Sequence, residues 1–168
     1  MPGKQGSLIQ RIIIERFGGL YTELIGRRSH LGAGAVIFDS QGRVLLARQS
    51  YGRRGWELPG GGRQPKESLE QAVRRELREE IGVEVTSAAL CGVYYEPDVD
   101  QHHFAFRCEL AAGAAPKPSS PEILECAFWP MDALPKPMSD FTMRRIQDCR
   151  SASAGVTITT LDPPKWLT

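Results

Sequence analysis

This sequence predicts an α/β fold, a mixed sheet covered by helices in a sandwich. Three observations point there. Stretches of strand composition come before, between and after two helical stretches, an order that suits neither a helix bundle nor an all-β sandwich. The 168 residues suffice for one domain with a sizeable core. A content of 41% hydrophobic and 24% charged residues is ordinary for a globular chain. The chain therefore reads as a single domain over residues 1 to 168, with residues 1 to 30 as an N-terminal extension. Its formal net charge of +1 supplies no general field for a nucleic acid polymer, so any electrostatic function must be local.

At the N-terminus, "LIQRIIIERF" (8 to 17) fits a helix by its spacing and a strand by its β-branched run, and both readings stand. Arg11, Glu15 and Arg16 interrupt the apolar stretch, which resembles neither a signal peptide nor a membrane span. Cys91, Cys108, Cys126 and Cys149 are far apart, without a CxxC pair or a zinc-type Cys/His spacing. Reduced structural thiols, a soluble chain and a cytoplasmic location are expected, with no membrane partner.

The first strands are the apolar runs at 35 to 38 and 44 to 47, joined as a hairpin by the turn residues "DSQG". "YGRRGWELPGGGRQP" (51 to 65) is too rich in Gly and Pro for a regular element and reads as a loop leading into a helix. After that helix, 83 to 96 and 102 to 111 have strand composition, and 111 to 121 is a small-residue surface loop. "ECAFWPM" (125 to 131) adds a strand. "SDFTMRRIQDC" (139 to 149) is a helix with a Ser or Asp cap, and "GVTITTL" (155 to 161) is the last strand.

The first helix carries the chemistry. Val73, Leu77 and Ile81 form a buried stripe at helical spacing, and Glu76, Glu79 and Glu80 gather beside it. Arg75 is four positions before Glu79 and can pair with it. Acids in the last turn before a Gly82 cap face both the helix dipole and one another. A solvated surface explains an isolated acidic pair, whereas a bound cation reverses both penalties here. Mg²⁺ takes oxygen ligands and keeps several waters, and Glu76 and Glu80, one turn apart, are the best ligand pair. In "LPGGG" the backbone can approach a ligand closely, so the Gly61 carbonyl can reach the same ion.

Other candidates come from chemistry alone. Arg48, Arg53 and Arg54 near the loop can contact phosphate. Trp56 and Tyr94 or Tyr95 can stack on a base, although aromatics bordering strands often belong to the core. His102 and His103 alternate faces of a strand, and neither is expected to bind metal. Glu122, after the small-residue loop, reads as a loop acid or as an alternative general base.

Taken together, Gly61, Glu67, Arg75-Glu76-Leu77, Glu79-Glu80 and Gly82-Val83 resemble the signature box of Nudix hydrolases at every defining position. A chance match is on the order of one in 10⁹ per starting point, so coincidence does not explain it. The strand pair before the box, "GWELPGG" and "EILECAFWPMDALP" extend the likeness to about residues 32 to 150. The resemblance implies an α/β/α sandwich with a loop-helix-loop site and Mg²⁺-dependent hydrolysis of a nucleoside diphosphate linked to another moiety. Mn²⁺ would be able to replace Mg²⁺. Carried over by position, Glu76, Glu79 and Glu80 supply metal ligands, Gly61 a backbone carbonyl, and Glu67 and Arg75 support. The general base is Glu79 or Glu76 first, with Glu122 as the alternative. Pro97 lies close to, but not on, the place of a proline found in members acting on ADP-ribose. The expected partner is thus a small nucleotide derivative such as ADP-ribose or a nucleotide sugar, with a homodimer compatible. A non-catalytic nucleotide sensor and a protein-interaction domain are the competing readings.

Overall fold

The computed structural model describes residues 30–151 and 155–168. The undecided stretch at 8 to 17 and the N-terminal extension lie outside them. Within them run β1 (His30–Ile37), β2 (Val44–Gln49), β3 (Trp56–Glu57), β4 (Gly60–Gly62), α1 (Leu69–Ile81), β5 (Val85–Glu96), β6 (Gln101–Leu110), β7 (Ile123–Trp129), β8 (Met138–Ser139), α2 (Asp140–Ser151), β9 (Thr157–Thr160) and β10 (Trp166–Leu167). A 3-10 turn, Pro97–Val99, links β5 to β6. The strands form two five-stranded sheets, ordered β4-β1-β6-β5-β9 and β10-β8-β3-β2-β7. Both are mixed: β1 pairs parallel with β6 and antiparallel with β4, while β3 pairs parallel with β8 and antiparallel with β2.

Two cores flank the inner strands. Ala33, Ala35 and Ile37 of β1 join Leu45 and Ala47 of β2 beneath Val73, Leu77 and Ile81 of α1. The alternate residues Val36, Val44 and Leu46 face a second core with Trp56, Tyr94 and Ile146 of α2. Strands buried on both faces read as continuous apolar runs, as 35 to 38 and 44 to 47 do. The expected α/β sandwich is present, with one helix against each core.

The expected hairpin of β1 and β2 is corrected. Asp39 does make the turn, its Oδ1 accepting from the Gln41 and Arg43 N–H groups at 2.9 Å, with Gly42 at φ 74°. The strands share a single bridge, Phe38 to Val44, and then enter different sheets. A strand has two edges, and those of β1 are taken by β4 and β6. The turn is therefore a corner between sheets. A second correction concerns "YGRRGWELPGGGRQP", which contains β3 and β4. Both are too short to show a period of two, which is why glycine content suggested only a loop.

The cysteines give a third correction. Cys91 of β5 and Cys149 of α2 form a disulfide with Cα atoms 5.1 Å apart, while Cys108 and Cys126 are free thiols. A separation of 58 residues carries no pairing signal in sequence; the fold brings the two together. Reduced thiols thus no longer support a cytoplasmic location. No helix among the described residues is long and apolar enough to cross a membrane.

Candidate active site

The site is built on α1 and the strand that precedes it. Ser68 starts the helix with a reciprocal capping box, its hydroxyl accepting from the Gln71 N–H while the Gln71 side chain accepts from the Ser68 N–H. Gly82 ends it in the left-handed region, φ 67°, with its N–H bonded to the carbonyls of Leu77 and Arg78. The caps set where the helix starts and stops, and burial of its apolar stripe in the core turns the acids beside it toward β4.

Two carboxylates clasp that strand. Glu80, only 8% exposed, accepts the Gly60 N–H on Oε2 at 2.8 Å. Glu76 lies against Gly61 so closely that a Cβ there would stand 2.5 Å from Oε1, so any side chain at 61 would push the carboxylate aside. Glu79 faces solvent, its side chain 57% exposed.

Arg75 joins the acids from behind. Its Nε donates to Glu67 Oε1 at 2.9 Å, Nη1 to Glu76 Oε1 at 2.7 Å and Glu79 Oε2 at 3.1 Å, and Nη2 to the Gly62 carbonyl at 2.9 Å. The guanidinium beside Glu67 holds that carboxyl below its usual range, and the bond from Glu67 raises Arg75 above its own. The supporting pair expected at 67 and 75 is therefore an ion pair that ties the loop before α1 to the helix.

Burial decides the charge of the inner acids. Desolvation pushes the Glu80 carboxyl up to about 8, against the opposing Gly60 N–H and with help from the charges of Glu76, Glu122 and Glu79. Glu76 is also raised, by burial first, although Arg75 pulls the other way. One helix edge thus holds two carboxylates that resist ionising together. A cation is what relieves such a pair, and the all-oxygen donor set suits a hard divalent ion. No three acid, imidazole or thiol groups among the described residues converge tightly enough to hold an ion as they stand. Arg75 and the Gly60 N–H occupy the oxygens instead.

The remaining expected residues divide. Glu122 is close enough for its charge to act on both Glu76 and Glu80, and its backbone carbonyl accepts the Ser50 N–H at 2.7 Å. Arg48 and Arg54 sit together, Arg48 Nε reaching the Arg54 carbonyl at 3.4 Å, with Arg54 exposed at φ 52°. Trp56 and Tyr94 are corrected: they are 4% and 0% exposed. Trp56 packs edge-on to Trp129 with centroids 5.2 Å apart, and the Tyr94 hydroxyl donates to Asp148 at 3.0 Å. Neither ring offers a face to a ligand, because both fill the core beside α2.

Sequence reasoning missed Tyr51 and, in a cleft of about 220 Å³ beside β4, Glu57 and Arg145. Tyr51, 39% exposed, has its hydroxyl pushed up to about 12 by burial and then by Glu122, Glu80, Glu57 and Glu76, so it stays a proton donor at the edge of the acidic cluster. In the cleft, Arg145 of α2 pairs with Glu57 of β3 at 2.6 Å, across 88 residues of sequence. His103 Nε2 meets Glu96 Oε2 at 2.9 Å. An arginine in "DFTMRRIQDC" looks like any solvated helix charge, and nothing in the sequence marks its burial.

Against known proteins, the NUDIX domain family model matches residues 28–148, well over half of the chain. A protein of Teredinibacter turnerae named RNA pyrophosphohydrolase is 42% identical over 60 residues, covering 36% of this chain and 35% of that protein. The match thus spans about a third of that relative's length. Among solved structures, a NUDIX hydrolase from Nitrosomonas europaea superposes with a TM-score of 0.67 at 20% identity, covering 82% of this chain and 81% of that one. The NUDIX domain of Shewanella oneidensis NrtR, complexed with ADP-ribose, superposes at 0.64 with 23% identity, covering 82% and 96%.

Proposed function

The chain belongs to the Nudix family, and from that membership and its clasped carboxylates we propose a divalent-metal-dependent hydrolase. Its substrate class is a nucleoside diphosphate linked to another moiety, such as ADP-ribose or a nucleotide sugar. The observation that carries the proposal is the pairing of Glu76 and Glu80 on Gly60 and Gly61, with both carboxyls raised by burial. Buried acids that oppose each other's ionisation are costly in a purely structural role and are suited to receiving a cation.

Glu76, Glu79, Glu80 and the Gly61 carbonyl would hold Mg²⁺, with Mn²⁺ as a substitute. Such an ion, when bound, neutralises diphosphate charge and lowers the pKa of water. The chain's own residues do the rest. Arg75 keeps Glu76 and Glu79 in reach of β4 through its bonds to Glu67 and the Gly62 carbonyl. Of these acids the one left off the ion would take a proton from an attacking water: Glu79, which faces solvent, or Glu76 first, with Glu122 as the alternative. Tyr51 offers a hydroxyl proton to a phosphate oxygen at the same edge. Arg48 near the end of β2 and Arg54 on the loop that follows it supply positive charge for the second phosphate.

The partner is a small molecule in this reading, neither a nucleic acid polymer nor a membrane. The experiment is a substrate panel assayed with and without Mg²⁺, on wild type and Glu80→Gln. It contains ADP-ribose, nucleotide sugars, dinucleoside polyphosphates, nucleoside triphosphates and, because a relative is named RNA pyrophosphohydrolase, a 5′-triphosphorylated oligoribonucleotide. Mg²⁺-dependent cleavage of small diphosphates, abolished in the variant, is expected. Nucleotide binding without cleavage would instead favour the sensor reading, and cleavage of the oligonucleotide alone would replace the substrate class.

A further inference from the structure

The cleft beside β4 has glycines from two neighbouring strands in its lining. Ala33 and Ala35 of β1 turn into the core beneath α1, so positions 32 and 34 face the opposite way, and both are glycine. Register sets Gly62 and Gly60 of β4 beside them on one side and His103 and Ala105 of β6 on the other. Glycine weakens a strand and gives it nothing to pack, so glycines clustered on one face mark a place where something approaches the backbone.

Polar groups stand around these glycines. Arg145 is 6% exposed, and among the described residues its hydrogen bonds run from Nη2, to Glu57 Oε2 at 2.6 Å and Thr142 Oγ1 at 3.3 Å. Its Nε is buried with no partner, and its Nη1 lies 3.6 Å from where a Cβ on Gly34 would be. A guanidinium this buried with donors left over is set up for an acceptor. Burial first, and then Arg145, hold His103 below its usual range, so the ring is neutral. With Nε2 donating to Glu96, its Nδ1 is an acceptor, 3.6 Å from a Cβ position on Gly32, where Gln101 Nε2 is 3.1 Å away.

We propose that this cleft holds the nucleobase of the substrate flat on the glycine floor, with Arg145 donating to one edge and Glu57 accepting from it, and that these residues determine which nucleotides are cleaved. The proposal rests on the hydrolase reading and deepens it. Peptide exposed at Gly32, Gly34 and Gly62, with side chains only at its margins, can take one face of a flat ring. A donor beside an acceptor matches a base edge that carries the reverse pair. Glu57 offsets the charge of Arg145, so the cleft has no surplus positive charge for a further phosphate. Gly61 lines the cleft and also touches Glu76, so one nucleotide can place its base here and its phosphates at the carboxylates.

The test is calorimetric binding in EDTA, without divalent cations, of AMP, GMP, CMP and base-free ribose 5-phosphate. At least one nucleotide is expected to bind about tenfold or more tightly than ribose 5-phosphate. Gly34→Ala adds a methyl at ordinary contact distance, 3.6 Å from Arg145 and 3.7 Å from Leu58, so its melting temperature should equal that of wild type. It should nevertheless weaken nucleotide binding about tenfold by lifting the ring from the floor. Gly32→Ala, to which only the flexible amide of Gln101 must yield, is the second variant and should act likewise. Equal binding of ribose 5-phosphate, wild-type affinity in both glycine variants, or no nucleotide binding at millimolar concentration overturns the proposal. Base-dependent binding without any hydrolysis contradicts the hydrolase reading alone, and Mg²⁺-dependent hydrolysis with binding indifferent to the base contradicts this one alone.

Discussion

Glu80 is the residue on which structure and chemistry conflict most. In the unfolded chain its carboxyl ionises near 4.5, and in the folded chain at about 8. Between those values the folded state keeps a proton that the unfolded state has released, so without metal this group makes stability fall as pH rises through the window. Glu80→Gln keeps a side-chain oxygen for the Gly60 N–H and never ionises. In EDTA it should therefore be more stable than wild type at pH 8, by up to ~4 kcal/mol, with the gap closing toward pH 5. Denaturant melts at both pH values measure this; equal stability at pH 8 would show that the carboxylate is not destabilised by burial. Gly61→Ala tests the other side of the contact, because a Cβ would meet Glu76 Oε1 at 2.5 Å. It should abolish Mg²⁺-dependent turnover and displace Glu76, visible as shifted amide signals of residues 75 to 77 in an NMR spectrum. The acidic triad was legible from its position against the dipole and the cap. Tyr94 and Trp56 were misread because aromatic character does not tell which face of a strand is covered, and here α2 covers it.

At the level of elements, the stripe and the stop of α1 were legible in the sequence, while its start at Ser68, although equally local chemistry, came only with the structure. Removing the start with Ser68→Ala should cost about 1 kcal/mol, read as a lower urea midpoint at unchanged slope; no change would mean that packing alone holds the first turn. The element that was not legible is the attachment of α2. Its place depends on the Cys91 to Cys149 bridge and on the Arg145 to Glu57 pair, contacts separated by 58 and 88 residues. A bridge closing a loop of 58 residues stabilises by about 4 kcal/mol on chain-entropy grounds. Reduction should lower the melting temperature of wild type and leave a Cys91→Ser/Cys149→Ser variant unaffected. A melting temperature indifferent to reductant would mean that the bridge adds nothing to stability. β3 and β4 were hidden for a different reason: strands of two and three residues are too short to show a period and exist only because β2, β8 and β1 pair with them.

Across the whole molecule, two sheets share the inner strands' apolar residues between two cores, and the candidate site lies where the edge strand β4 separates them. Its α1 side presents Glu76 and Glu80 to Gly61 and Gly60, and its other side opens into the glycine-floored cleft. The carboxylate half could be read from 23 consecutive residues, 61 to 83, because a helix and its preceding loop are neighbours in sequence. The cleft half could not, because Gly32, Glu57, Gln101, His103 and Arg145 come from four elements far apart in sequence, β1, β3, β6 and α2. The central claim, that the acids of α1 hold a divalent cation against β4, is tested most directly by titrating Mn²⁺ into the protein and following paramagnetic broadening of backbone amides. Broadening concentrated at residues 60 to 62 and 76 to 82, and lost in the Glu76→Gln/Glu80→Gln variant, is the predicted result. Amides there that stay sharp at millimolar Mn²⁺, or that broaden equally in the variant, would contradict it.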